Sequence, residues 1–205
     1  MAHPELAAFE VHGMTRSSFI LRGALAAGAV YGTTAVGPFV SAALAQSGSS
    51  DVDVLNFALT LEYLESTFYN VKAKSVGLSG EAKSLATLIG GHEATHVAAL
   101  EATIKKLGGK PVAKPKFAFP VTSEKTFLGL AYVLENTGVG AYNGAAPSLQ
   151  SKDVLAAAGG IVQVEARHAS AIALLIGKSP TPNQGFDKAL TKAQVLSAAG
   201  PLIKA

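Results

Sequence analysis

The chain contains no cysteine. That absence removes disulfides, thiolate metal sites and cysteine nucleophiles, so the core or a nitrogen- and oxygen-bound metal must stabilise the fold. Charge is scarce as well. Asp, Glu, Lys and Arg make up 15% of 205 residues against 49% apolar residues, and the mean hydropathy is +0.32. The net charge is only +3 and the lysines are scattered rather than clustered. Such a surface is a solvated one, and no nucleic-acid partner is expected. Strictly alternating β-branched runs are also missing, so no sheet is expected. What remains is one domain of helices with enough length to bury a sizeable core.

Part of the apolar excess lies in the first 45 residues. Thr15-Arg16-Ser17-Ser18-Phe19-Ile20-Leu21-Arg22 is followed by an Ala/Gly-rich apolar run that ends Ala43-Leu44-Ala45. A basic start, an apolar middle and an A-x-A end predict an export signal over 1–45, cleaved after Ala45. A retained anchor is the alternative, but Gly23, Gly28, Gly32, Gly37 and Pro38 make this run a poor permanent span. No stable membrane span is therefore expected after cleavage, and the location is periplasmic or secreted. The segment is similar to a twin-arginine signal, although Ser17 stands where the second arginine would be.

Beyond a linker over 46–52, apolar residues recur at three and four, which predicts a four-helix bundle over 53–178. The helices are expected over about 53–76, 79–107, 122–142 and 151–176, followed by a tail over 179–205. Short links make the first two helices antiparallel neighbours, and likewise the last two. Between the hairpins, Pro111, Pro115 and Pro120 favour an extended path. About 13 extended residues reach about 43 Å, more than the roughly 30 Å of a 20-residue helix. Two hairpins joined by one long crossover is the all-α, ferritin-like arrangement.

A weak duplication sits on these helices. Glu62 is followed seven residues on by Tyr69-Asn70, and Glu135 by Tyr142-Asn143. Each of those glutamates then precedes an E-x-x-H, first Glu93 with His96, then Glu165 with His168. Residues three apart share a helix face, so each Glu/His pair can reach a common metal. Four carboxylates and two imidazoles bind two divalent ions with balanced charge, which makes burial tolerable. The local pattern puts all four glutamates on apolar stripes, where an unpartnered charge is expensive. Chance is a poor account: only eight residues of the 160 after Ala45 are Glu. A Glu three before a given His is thus an event of about 1 in 20 by composition.

With these residues in view, the chain resembles exported bacterial ferritin-like domain proteins, a group that includes plant desiccation-related proteins. The resemblance covers about 53–178. It is carried by LNFALTLEYLESTFY, HEATH, LENTGVGAY and VEARHASAI. It implies Glu62, Glu93, His96, Glu135, Glu165 and His168 as metal ligands. Iron is the first choice and manganese the second, since mixed nitrogen and oxygen ligation suits both. The implied activity is redox chemistry with O2 or peroxide, or Fe(II) oxidation, in protection of the cell envelope from stress. Metal ions and O2 or peroxide are the expected partners, with assembly into a homo-oligomer left open. The tail also resembles this group, and Thr191 is placed to cap a short last helix.

Other residues compete for roles. Glu65 lies one turn from Glu62, but its counterpart in the duplication is Gly138. It is therefore expected outside the ligand set, at the site's edge or on the surface. Tyr69 and Tyr142 are either core aromatics or phenols beside the metals, able to hydrogen-bond a ligand carboxylate or quench a radical. Arg167 is expected on the surface or just behind the ligands. His92-Glu93-Ala94-Thr95-His96 also spells H-E-x-x-H, the zinc-protease signature. That reading leaves Glu62, Glu165 and His168 without a role, so the overlap is taken as chance and His92 as partly exposed. A ferritin-like stress or structural protein without enzymatic activity is the second functional reading, because fold does not fix function.

Overall fold

In the computed structural model, residues 50–181 and 185–204 are described; the export signal expected over 1–45 lies outside them. Helix α1 (Asp51–Thr67) begins two residues before its expected start because Ser50 caps it. The Ser50 hydroxyl accepts the Asp53 N–H at 3.2 Å, and the Asp53 carboxylate reaches back to Ser50, a reciprocal pair that satisfies two otherwise orphaned donors. The helix continues through a π-helical turn (Phe68–Lys72) and a last turn (Ala73–Val76), and stops at Gly77. Gly77 has φ +72°, a left-handed conformation that glycine adopts without steric cost.

Helix α2 (Gly80–Lys106) returns along α1, and α3 (Glu124–Ala145) pairs with α4 (Lys152–Leu175). The crossover between the hairpins is tied at both ends. Asn56, near the start of α1, holds the backbone of Lys110 and Val112 at 3.2 and 2.7 Å. At the other end, the Glu124 carboxylate accepts from Ser79 N–H at 2.8 Å, so α3 begins beside the start of α2. The connection therefore travels the bundle's length. Contrary to the expectation of no sheet, it also forms a two-residue antiparallel ladder, β1 (Lys116–Phe117) against β2 (Ile203–Lys204), too short to show as alternation in the sequence. Helix α5 (Lys192–Ala199), capped by Thr191 as expected, packs on α3.

The core divides into two apolar clusters. One gathers Leu64, Phe68, Ile89, Phe127 and Ile172; the other gathers Leu59, Leu100, Ile104, Val154 and Ile161. Along each helix the acidic and histidine positions fall between members of these clusters. The polar residues thus form one layer, sealed above and below by aliphatic and aromatic side chains.

Candidate metal centre

The four helices bring all six sequence-predicted residues into that layer. Glu62, Glu93, Glu135 and Glu165 are each no more than 1% exposed, and His96 and His168 are buried. They form two overlapping groups, Glu62/Glu93/His96/Glu165 and Glu93/Glu135/Glu165/His168, each able to direct ligand atoms at one ion. Glu93 and Glu165 belong to both. Their two oxygens divide between the histidines: His96 Nδ1 lies 3.3 Å from Glu93 Oε2 and 2.9 Å from Glu165 Oε1. His168 Nδ1 lies 3.1 Å from Glu93 Oε1 and 3.7 Å from Glu165 Oε2. Glu62 completes the first group, 3.3 Å from His96, and Glu135 the second, 3.2 Å from His168.

The protein alone cannot satisfy this arrangement. Each Nδ1 faces three carboxylate oxygens but carries at most one hydrogen. Five carboxylate oxygens, Glu62 Oε2, Glu93 Oε1, Glu135 Oε1 and both of Glu165, are buried without a hydrogen-bond partner. Ionised carboxylates only accept, so what each of these oxygens lacks is a hydrogen-bond donor or a cation. Ligands at about 2.1 Å from an ion and at right angles sit about 3.0 Å apart, close to the spacings seen here. The residues present could therefore hold metal ions.

Protonation in the metal-free protein records the same crowding. Burial, with neighbouring carboxylates adding to it, drives Glu62 and Glu135 well above the usual carboxylate range despite their histidine contacts. Burial would also raise Glu93, but His168 and His96 hold it at about 2. The imidazoles respond inversely. Burial works to lower them, yet the surrounding carboxylates hold His96 at about 12 and His168 at about 11.

The neighbours of these six residues were only partly legible in the sequence. The Tyr142 hydroxyl donates to Glu62 Oε1 at 2.5 Å, so a residue of the second hairpin orients a carboxylate of the first. The Tyr69 phenol is buried, and burial, then the neighbouring Glu135, hold it well above the usual phenol range. It is carried by the π-helical turn, an irregularity frequent at functional sites. His92 is half-buried, as expected, but it is not idle: its Nδ1 sits 2.8 Å from His168 Nε2, with the rings stacked at 5.1 Å. It belongs to neither ligand group, so HEATH does not supply two histidines to one ion. Arg167 is exposed.

Glu65 is at the site's edge rather than on the surface, outside both ligand groups. It is 3% exposed, and it lies against Gly138, where an added Cβ would stand 3.3 Å from Glu65 Oε1 and 3.6 Å from Glu165 Oε2. The glycine that argued against Glu65 is what makes room for its carboxylate. The sequence signal was there: a glycine in a helix interior costs about 1 kcal/mol relative to alanine, and such a cost calls for a reason.

A family model for the ferritin-like domain matches residues 50–178. Among solved structures, the chain is similar to a conserved hypothetical protein from Mycobacterium tuberculosis. The TM-score is 0.55 and the identity 17%, over 65% of this chain and 95% of that one, a likeness of fold. No curated protein matches.

Proposed function

Because the chain belongs to the ferritin-like domain family, we propose that it is an exported two-metal carboxylate protein that reacts with O2 or peroxide or oxidises Fe(II), protecting the cell envelope. The observation that carries this reading is the sharing of Glu93 and Glu165 between two ligand groups, one oxygen toward each histidine. The nitrogen and oxygen donor set suits both iron and manganese, and iron is put first on the family resemblance alone. The leader sequence over 1–45 supports export.

In this reading Glu62 and His96 would hold one ion and Glu135 and His168 the other, with Glu93 and Glu165 common to both groups. Redox-active ions held there would supply the electrons for reaction with O2 or peroxide. The chain's own part is to place and insulate that chemistry. Tyr142 orients Glu62, and His92 steadies the ring of His168 through its outer nitrogen, contacts of the kind that tune ligand geometry. The two apolar clusters keep bulk water from the layer. Tyr69 and Tyr142 put phenols within the same layer, placed to quench a radical.

The test is elemental analysis of protein purified from its native compartment, followed by an aerobic Fe(II) oxidation assay. About two ions per chain and oxidation faster than the buffer rate are expected. A metal-free native protein would sink the reading. Bound metal without turnover would instead establish the non-enzymatic ferritin-like protein.

A further inference from the structure

On the side of the bundle formed by α2 and α4, the outward positions are exposed and short of charge. The two helices run antiparallel: His92 meets His168, while Leu85 and Leu88 share a shallow cleft with Leu174 and Leu175. Leu88 and Leu174 stand 56% and 64% exposed. Beyond the cleft the face flattens into small exposed residues, Thr95, Ala99 and Ala102 on α2 and Ala157 on α4. On α2 these recur at three, four and seven residues from Leu88 to Lys106, so they share one helix face. No exposed position of α2 between Ser84 and Ile104 is charged, and Arg167 is the one exposed charge of α4 after Asp153. Charge returns at the far end of the face, where Lys106 closes α2 and Asp153 opens α4.

The face has the size that a stable partner requires. Two helices, each about 10 Å across and the shorter about 36 Å long, present a strip on the order of 700 Å². A standard interface takes about 800 Å² from each side. Charge then selects how the strip could meet itself. A two-fold axis running across the helices would set Arg167 against Arg167 of a second copy, and like charges at close range oppose association. An axis running along the helices lays α2 of each copy on α4 of the other at equal height. Leu88 then meets Leu174 of the second copy, and Ala102 meets its Ala157. Lys106 lies fourteen residues from His92 and Asp153 fifteen from His168, so these two stand level and meet as opposite charges.

We propose that the α2/α4 face is the seat of a second copy of this chain, packed α2 on α4 about a two-fold axis parallel to the bundle. The four leucines, Leu88 and Leu174 from each copy, form the apolar centre of one end, and the alanines let the backbones approach at the other. Two Lys106–Asp153 pairs, one from each side of the axis, fix the orientation rather than supply the bulk of the affinity. The inference stands apart from the metal reading, since none of these residues belongs to either ligand group.

The experiment is sedimentation equilibrium on protein purified from its native compartment and on variants prepared in the same way. The wild type is expected to have the mass of two chains at micromolar concentration, the weak end for an interface of this size. Leu88→Glu and Leu174→Glu should each weaken association by about a hundredfold or more, because the axis repeats the buried charge. Both positions are exposed in the single chain, so these variants are expected to fold and to keep their Mn(II) binding. Lys106→Glu and Asp153→Lys should each weaken association by about tenfold, and the two together should restore it to within about threefold of the wild type. Damage to the fold could not produce that recovery. A wild-type mass of one chain overturns the proposal, as does a dimer that tolerates both leucine variants. A dimer that the leucine variants break but the paired exchange fails to restore overturns the packing of α2 on α4.

Discussion

Individual side chains in the polar layer differ in what their removal should do. Glu62→Ala and Glu135→Ala each take one carboxylate from one end, and both should lower metal affinity sharply, because a buried ion is left short of a partner. His96→Ala and His168→Ala should each lose about one ion per chain. His92→Ala should keep both ions at high concentration while its affinity falls by roughly 10–100-fold, since it acts through the ring of His168. Tyr142→Phe should weaken binding by about tenfold through loss of its bond to Glu62. Equilibrium dialysis with Mn(II) across the series separates these grades; His92→Ala as damaging as His96→Ala would revive the H-E-x-x-H reading. The six residues were readable because a duplicated, chemically unusual pattern stood out against composition. The particular contacts of Glu65, Tyr142 and His92 were not, because their partners lie on other helices and no spacing within one helix records them.

Helix α3 shows how one element carries several demands. Its C-terminal half reads Gly138, Gly140 and Gly144, and each faces something. Gly138 faces Glu65, while Gly140 and Gly144 let the tail at Leu190 lie against the helix, with Leu190 N–H donating to the Gly140 carbonyl at 2.8 Å. A Cβ at Gly144 would fall 1.9 Å from the Leu190 carbonyl oxygen. Gly144→Ala gains about 1 kcal/mol in helix propensity but forces an overlap with backbone, which costs about 1–3 kcal/mol or more. The expected outcome is a net loss of stability. Gly160→Ala, in α4 with nothing within 4 Å, should be neutral or stabilising by up to about 1 kcal/mol. Urea melts of the metal-free variants check both, and a stabilised Gly144→Ala would contradict the close approach of the tail.

Across the whole molecule, the buried layer makes stability depend on pH in a direction set by metal. In the metal-free protein Glu62, Glu65 and Glu135 are raised by burial first, and His96 and His168 are held up by carboxylates against burial. All five bind protons more tightly folded than unfolded. Their contribution is full below the unfolded values and is lost as pH rises through the folded ones, up to about 11 and about 12 for the histidines. Glu93, at about 2, acts oppositely but only below its ordinary value of 4.5. Metal-stripped protein should therefore melt at progressively lower temperature from about pH 5 to about pH 9. Metal displaces these protons, so the stabilisation given by added Mn(II) should grow over the same range. Thermal melts with and without Mn(II) test this; a metal-free melting temperature that climbs over that range would contradict the protonation pattern.

The sequence by itself determined the four helices, the long crossover and the six residues of the polar layer. Those features are written in local periodicity, in prolines that bar helix and in i, i+3 spacing, all of which act within one segment of chain. It did not determine the β1–β2 ladder, whose strands lie far apart in the chain and are too short to alternate. Nor did it determine the division of Glu93 and Glu165 between two ion positions, the bond from Tyr142 to Glu62, or the burial of Glu65 in the space left by Gly138. Each of these depends on how one helix is rotated and shifted against another. That is settled by the packing of both apolar clusters at once, so only the tertiary structure decides it.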